Sequence, residues 1–364
     1  MSMEKVRDLH EWADVAERNV LVLNYTMTCP LACDFCCYGC HPKRTEKMPL
    51  DKARDLISQA AQLDVFSSVG FTGGEVFAYE DDFLELADHL KAVGLPFTAA
   101  TAGHWGKSKK HADDLAERLV SRGLRRINIS CDTSHAEFVP VESVVNAATA
   151  MAQQGIPVYI VGTFADPKDD LERMLPELSG HPGIRMFSKR IAQVGRAKKT
   201  RLPPRAANNY EGTCYRRIYH DIVVFWDGKT YPCCSTFNRA TKGLCVGNAF
   251  EESLEAIWRR VDNSPLFLML KRRGFGELYE AVAKYNPELY QQLPPLNSSP
   301  GPCSLCNAMF SKDSVRAGVE AVADELFVDE LLASTNALQQ RSIGGLLRAP
   351  PSDHSGATGG ADHG

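Results

Sequence analysis

The sequence predicts an α/β protein: a partial (βα)6 barrel of the TIM type followed by a small α+β domain. Short β-branched apolar runs alternate with helix-period segments from residue 20 to about 188, the pattern of successive βα units and hence of a parallel sheet. Six units are too few to close an eight-stranded barrel, so the barrel is partial, with its chemistry expected on the loops after the strands. Beyond a break in periodicity, two short apolar runs flank Asp227-Gly228, a strong hairpin signal that opens the second domain.

Taken in order, residues 1–19 are charged and helix-like and form an N-terminal extension. Strands are expected at Val20 to Thr26, Ser67 to Thr72, Phe97 to Thr101, Arg126 to Cys131, Pro157 to Thr163 and Ile184 to Phe187. Between them fall helices at Leu50 to Gln62, opened by Pro49, and at Asp81 to Ala92, Ala112 to Arg122, Val141 to Gln154 and Lys168 to Leu178. Gly94, Gly123 and Gly155 each follow one of these helices, where a residue at positive φ ends a helix cheaply. Residues 20–188 therefore make the barrel. In the linker, 189–210, Lys189, Arg190, Arg196, Lys198, Lys199, Arg201 and Arg205 accumulate without an acidic residue. Such a run is ordinarily solvated surface, and its sharper reading is contact with an acidic substrate or peptide. The second domain, 211–312, carries the hairpin Asp221 to Trp226 and Thr230 to Cys233, a helix at Glu251 to Val261 and a Pro/Ser loop at Pro294 to Pro302. Ser314 to Gln340 reads as a helix or helix pair within a segment 313–345, and the Gly-, Pro- and Ser-rich tail, 346–364, is expected to be disordered.

Composition narrows the function. With 41 Lys plus Arg against 45 Asp plus Glu, the net charge of -4 provides no global basic field for nucleic acid or an anionic membrane. No apolar run approaches the roughly 20 residues that span a bilayer, and the charged start does not resemble a signal peptide. A cytoplasmic location follows as the expectation. In that reducing compartment the 12 cysteines point to metal or redox chemistry in place of disulfides. Five lie between Cys29 and Cys40 and six between Cys214 and Cys306, leaving Cys131 alone. Two clusters of thiols imply two sites.

Directly after the first strand stand Cys29, Cys33 and Cys36, a C-x3-C-x2-C spacing on a loop. Three thiolates so spaced can hold one face of a [4Fe-4S] cube and leave the fourth iron open. With Phe35 before the third cysteine, the motif resembles that of the radical SAM superfamily. The resemblance implies that the open iron binds S-adenosyl-L-methionine (SAM), whose reductive cleavage yields a 5'-deoxyadenosyl radical. It extends to Thr72-Gly73-Gly74-Glu75 after the second strand, where the glycines would permit close backbone approach and the Glu75 carboxylate would receive the methionine ammonium. Val76 stands where that family usually has Pro. By the same resemblance Ser130 or Asp132 would face the ribose and Gly162 the adenine; the plainer reading is that strand-end polar residues cap the next helix. Cys37, Cys40 and His41 extend the loop as spare thiols or, with Cys36, as zinc ligands.

The second cluster, Cys214-x13-Gly228-x4-Cys233 with Cys303-x2-Cys306, provides four thiolates, enough to saturate a second cube that stores or passes electrons. It resembles the SPASM/Twitch extension of radical SAM enzymes, continued by Val246-Gly247-Asn248 and a helix through Trp258. No cysteine follows Cys306, so the shortened form with one auxiliary [4Fe-4S] cluster, distant from SAM, is expected. Cys234 or Cys245 could replace Cys233 as a ligand, although the spacing favours Cys233. Cys131, Cys234 and Cys245 are otherwise buried apolar residues or thiols that return a hydrogen atom to a substrate radical. The resemblance implies an oxidoreductase that attacks a C–H bond of a peptide or small natural product by oxidation, crosslinking or epimerisation, with flavodoxin or ferredoxin as electron donor and a possible separate leader-peptide recognition protein. The rival is a non-catalytic iron–sulfur carrier or zinc scaffold.

Overall fold

The computed structural model describes residues 19–166, 168–200, 202, 207–214 and 221–346, with side chains omitted for 336–346. The N-terminal extension, Arg201, Arg205 and nearly all of the tail lie outside the described residues.

Six βα-type strands follow the expected order: β1 (Asn19–Thr26), β2 (Phe66–Gly73), β3 (Phe97–Thr101), β4 (Leu124–Ser130), β5 (Val158–Phe164) and β6 (Ile184–Arg190). Helices α1 (Leu50–Gln62), α2 (Glu80–Val93), α3 (Lys109–Val120), α4 (Thr133–Ala136), α5 (Val141–Gln153) and α6 (Leu171–Met174) lie between them. Each strand pairs in parallel with the next, so all six C-terminal ends reach the same rim. The helix expected over Lys168 to Leu178 is instead one α turn and a 3-10 turn, because Pro176 has no N–H to continue the ladder. β6 runs on through Lys189 and Arg190, which therefore belong to the barrel and not to a linker.

The hairpin β7 (Asp221–Phe225) and β8 (Lys229–Tyr231) does not form a sheet of its own. β7 lies parallel to β1, with Asn24 opposite Phe225, and β8 and β9 (Gly247–Asn248) extend the same nine-stranded sheet. Six further helices follow: α7 (Leu254–Asp262), α8 (Pro265–Arg272), α9 (Phe275–Tyr285), α10 (Pro287–Tyr290), α11 (Pro302–Met309) and α12 (Asp313–Leu346). Four of them, α8 to α11, occupy stretches where the sequence had given no helix. The segment read as one helix or a pair is one helix, and no helix among the described residues is long and apolar enough to cross a membrane.

α1 buries Ala53, Leu56, Ile57 and Ala60, an i, i+3, i+4, i+7 stripe laid on the sheet. Beside it α2 inserts Phe83, fully buried, among Phe71, Phe77 and Phe97 at ring centroid distances of 5.0, 4.9 and 5.8 Å. These are edge-to-face contacts, which add to the burial of apolar area. Phe83→Ala should cost about 3–5 kcal/mol, read as a lower urea midpoint; an unchanged midpoint would show that the aromatic cluster does not hold the helical layer to the sheet.

Candidate active site and adjoining cysteine cavity

Between β1 and α1 the chain makes a long excursion that bonds to itself. Met27 N–H donates to Glu46 O, Met48 N–H to Tyr25 O and His41 N–H to Met27 O, which brings the loop's two arms together at the rim. Within it Cys36 N–H donates to Cys33 O, a tight turn that puts Cys33 and Cys36 side by side. Cys29, Cys33 and Cys36 all line one cavity of about 490 Å3. Burial pushes the Cys29 thiol up to about 12, while hydrogen bonding from Cys40 pulls Cys36 down to about 5. Iron binding would have to displace the Cys29 proton.

Thr72, Gly73, Gly74 and Ser130 line the same cavity. The close approach expected of the glycines is made to the cysteine loop itself: a Cβ on Gly74 would lie 2.1 Å from Thr28 O, and one on Gly73 2.6 Å from Thr26 O. Only glycines fit there.

Glu75 sits behind the cavity wall. It is fully buried, and its carboxylate accepts from Phe77 N–H at 3.2 Å, Thr101 Oγ1 at 2.9 Å and Ala102 N–H at 2.7 Å. It is not among the residues that line the cavity, and its bonds fasten the β2 loop to β3. Asp132 is likewise fully buried and absent from the cavity wall. It caps α4 by accepting from His135 N–H at 3.0 Å, and it takes Thr163 N–H at 3.1 Å, which is the plainer of the two readings. Gly162 is a packing position, since a Cβ there would lie 2.4 Å from the Phe164 ring.

His135, Thr101 and Phe237, which sequence reasoning did not place here, also line the cavity, as does Thr163 from the end of β5, the segment expected to face the adenine. His135 bonds Asp132 Oδ1 at 2.9 Å and lies 5.6 Å from the Phe35 ring. Burial opposes its charged form, but the bonds to Asp132 and Cys33 raise it to about 10. The Asp132–x2–His135 spacing on a helical turn was the available signal. Lys189, Arg190 and Arg196 from the basic stretch also reach the cavity, which no carboxylate among the described residues lines.

The second set converges as expected. Cys214, Cys233, Cys303 and Cys306 line one small apolar cavity with Phe267, Leu270 and Phe275, and Cys306 is driven well up by burial. The wall includes Cys233 and not Cys234. Cys131, Cys234 and Cys245 line neither cavity, and Cys131 is sealed behind β4 at 1% exposure, so the structure does not bring these thiols to the site. Nor are the two cavities distant from each other. Phe237, Pro302 and Cys303 line both, so α11 stands as their common wall. Among the described residues no three His, Cys, Asp or Glu side chains gather closely enough to hold a single metal ion. A cube spreads its cysteine ligands over separate irons, and both donor sets are all-thiol, the chemistry such a cluster takes.

Residues 23–177 match the family model of the radical SAM superfamily, and residues 214–279 match SPASM, an iron–sulfur cluster-binding domain. YydG of Bacillus subtilis (strain 168), named for peptide biosynthesis, is 26% identical over 295 residues, covering 79% of this chain and 91% of YydG. A PqqA peptide cyclase of Xanthomonas campestris pv. campestris (strain B100) is 31% identical over 111 residues, 30% of this chain and 28% of the cyclase. Of solved structures, Streptococcus suis SuiB bound to precursor peptide SuiA aligns with 15% identity and a TM-score of 0.43, over 83% of this chain and 79% of SuiB.

Two outcomes follow from the buried carboxylates. Glu75→Ala leaves three donors without their acceptor and should cost about 3–5 kcal/mol in urea unfolding, with Glu75→Gln costing less; full stability in Glu75→Ala would return this carboxylate to a ligand-binding role. In the metal-free chain His135 keeps its proton to about pH 10 when folded, against 6.5 as its ordinary value. The pair's contribution to stability is therefore complete below 6.5 and fades as pH rises towards 10. Asp132→Asn should move the ring titration down towards 6.5, followed by NMR; an unmoved titration would remove Asp132 as its cause.

Proposed function

Because this chain belongs to the radical SAM superfamily and carries a C-terminal SPASM iron–sulfur domain, we propose that it is an oxidoreductase that modifies a peptide by hydrogen abstraction. The observation that carries this reading is the single cavity walled by Cys29, Cys33 and Cys36 on one side and by Thr72, Gly73 and Gly74 on another. The three thiols would hold a [4Fe-4S] cluster by three corners and leave one iron for SAM. When bound, cluster and SAM together supply a 5'-deoxyadenosyl radical that takes a hydrogen atom from the substrate.

The chain's own residues prepare that space. The Gly73-Gly74 backbone borders it without side-chain bulk, and Ser130 and Thr163 offer hydroxyls along the β4 and β5 rim for the ligand's polar groups. The Phe35 and His135 rings, 5.6 Å apart, form part of the cavity wall with Cys33. Cys214, Cys233, Cys303 and Cys306 would hold one auxiliary [4Fe-4S] cluster, and Cys303 stands where it can pass an electron between that cluster and the first cavity.

A peptide is favoured over a small natural product by the relationship to YydG, which runs through most of both chains. The second unit contributes Thr236, Phe237 and Pro300 to the cavity wall, so a bound substrate would meet both units. Flavodoxin or ferredoxin would deliver the reducing electron, and a separate protein would recognise the leader.

Anaerobically reconstituted protein should hold about eight irons, and Cys29→Ala/Cys33→Ala/Cys36→Ala about four with no formation of 5'-deoxyadenosine. Continued SAM cleavage by the triple variant would overturn the assignment. Cys303→Ala/Cys306→Ala should keep about four irons and still cleave SAM, yet fail to make oxidised peptide. Full product from that variant would make the second cluster structural.

A further inference from the structure

The segment after β6 was read from sequence as solvated surface or as a contact for an acidic peptide, and Arg196, which borders the cavity, also bonds to the first cysteine loop. It reaches back 163 positions: its Nε donates to Cys33 O at 2.7 Å, and its Nη1 donates to Cys40 O at 2.8 Å. Its own backbone N–H donates to Cys36 O at 3.1 Å. All three acceptors are carbonyls of the first cysteine loop, and two of them belong to cysteines of the C-x3-C-x2-C motif. Before Arg196 stands Gly195, at φ +58°, where a Cβ would lie 2.4 Å from both Cys36 O and Cys37 O. The two chain segments are thus in backbone contact. Val194 and Ala197 on either side are buried at 2% and 0% exposure, so apolar packing anchors the segment on both flanks of Gly195-Arg196.

The chemistry of the three carbonyls explains why arginine is needed. A loop that turns three thiols towards one cavity leaves carbonyls with acceptor capacity for donors from other segments. A guanidinium presents five N–H groups in a rigid plane and stays charged, so one side chain can satisfy two carbonyls at fixed separation. Lysine, with a single ammonium on a flexible stem, can serve one well.

We propose that Arg196 is a positioning residue for the first cluster, and that Gly195-Arg196 clamps the Cys33–Cys40 arc into its ligand-ready shape before iron arrives. The proposal rests on the preceding reading that this loop holds a cube. It makes the segment leading out of the barrel part of the first site.

The test uses the full chain carrying Cys303→Ala/Cys306→Ala, so that only the first loop can hold a cube. In the metal-free state, Arg196→Ala should raise amide hydrogen exchange across residues 33–41 about tenfold, with Arg196→Lys in between. After reconstitution the background should hold about four irons, and Arg196→Ala should lose them to a ferrous chelator about tenfold faster. Should Arg196→Ala fail to fold by circular dichroism, Arg196→Lys carries both comparisons. Equal exchange and equal iron release with Arg or with its replacement would overturn the clamp. A background chain that binds no iron, while exchange still responds to Arg196, would overturn the cluster reading instead. In the chain with Cys303 and Cys306 intact, an Arg196 variant changed only in its KM for peptide would overturn the clamp and return this residue to substrate binding.

Discussion

Two short backbone hydrogen bonds, Gly74 N–H to Thr26 O at 2.6 Å and Glu75 N–H to Thr28 O at 2.8 Å, join the ends of β1 and β2, and the site depends on them. They bring the start of the cysteine loop against the β2 loop at a separation that no side chain on residue 74 could tolerate. From that junction the construction proceeds strand by strand. Glu75 carries it to β3 through Thr101 and Ala102, and Trp105 Nε1 completes the network by donating to Thr101 Oγ1 at 3.2 Å. Buried and charge-assisted, these bonds hold a geometry that loop entropy would otherwise disperse.

What could be read from sequence was whatever is local. Strand positions β1 to β6 came within a few residues, since alternation of apolar runs with helix-period segments reports directly on βα units. The hairpin at Asp227-Gly228 was legible because turn chemistry needs only two residues. The cysteine spacings were legible because ligand sets are written in the identities of the residues that make them.

What could not be read was set by distant partners. The identity of Glu75 does not say which way its carboxylate turns; Thr101 and the Ala102 N–H decide that from 26 and 27 residues away. Arg196 looked like one more cation in a basic run until its partners, 163 and 156 residues earlier, came into view. The helices α8 to α11 are short and lie close together in the chain; α9 does carry a stripe, Phe275, Leu278, Tyr279 and Val282 at i, i+3, i+4 and i+7, which the reading passed over. Their cores, Leu266, Phe267 and Leu270 in α8 and Leu278 and Val282 in α9, are buried partly against one another and α12.

The pairing of β7 with β1 explains why the two cysteine cavities adjoin. Because β7 runs parallel to β1 with Phe225 opposite Asn24, the hairpin emerges at the rim next to the cysteine loop. Contact follows at once: Tyr38 stacks edge-on against Phe225 at 5.2 Å, and its hydroxyl donates to Ser235 O at 3.0 Å, two residues beyond Cys233. Tyr38 itself lies two residues after Cys36, so the first and second cysteine sets are joined through one side chain. A domain merely tethered by a linker would leave such a distance free to vary. A strand added to the barrel's own sheet fixes it, and α11 can then present Cys303 to both cavities at once. The electronic neighbourhood of the two sites is therefore a consequence of strand register, determined by the backbone before any cluster is bound.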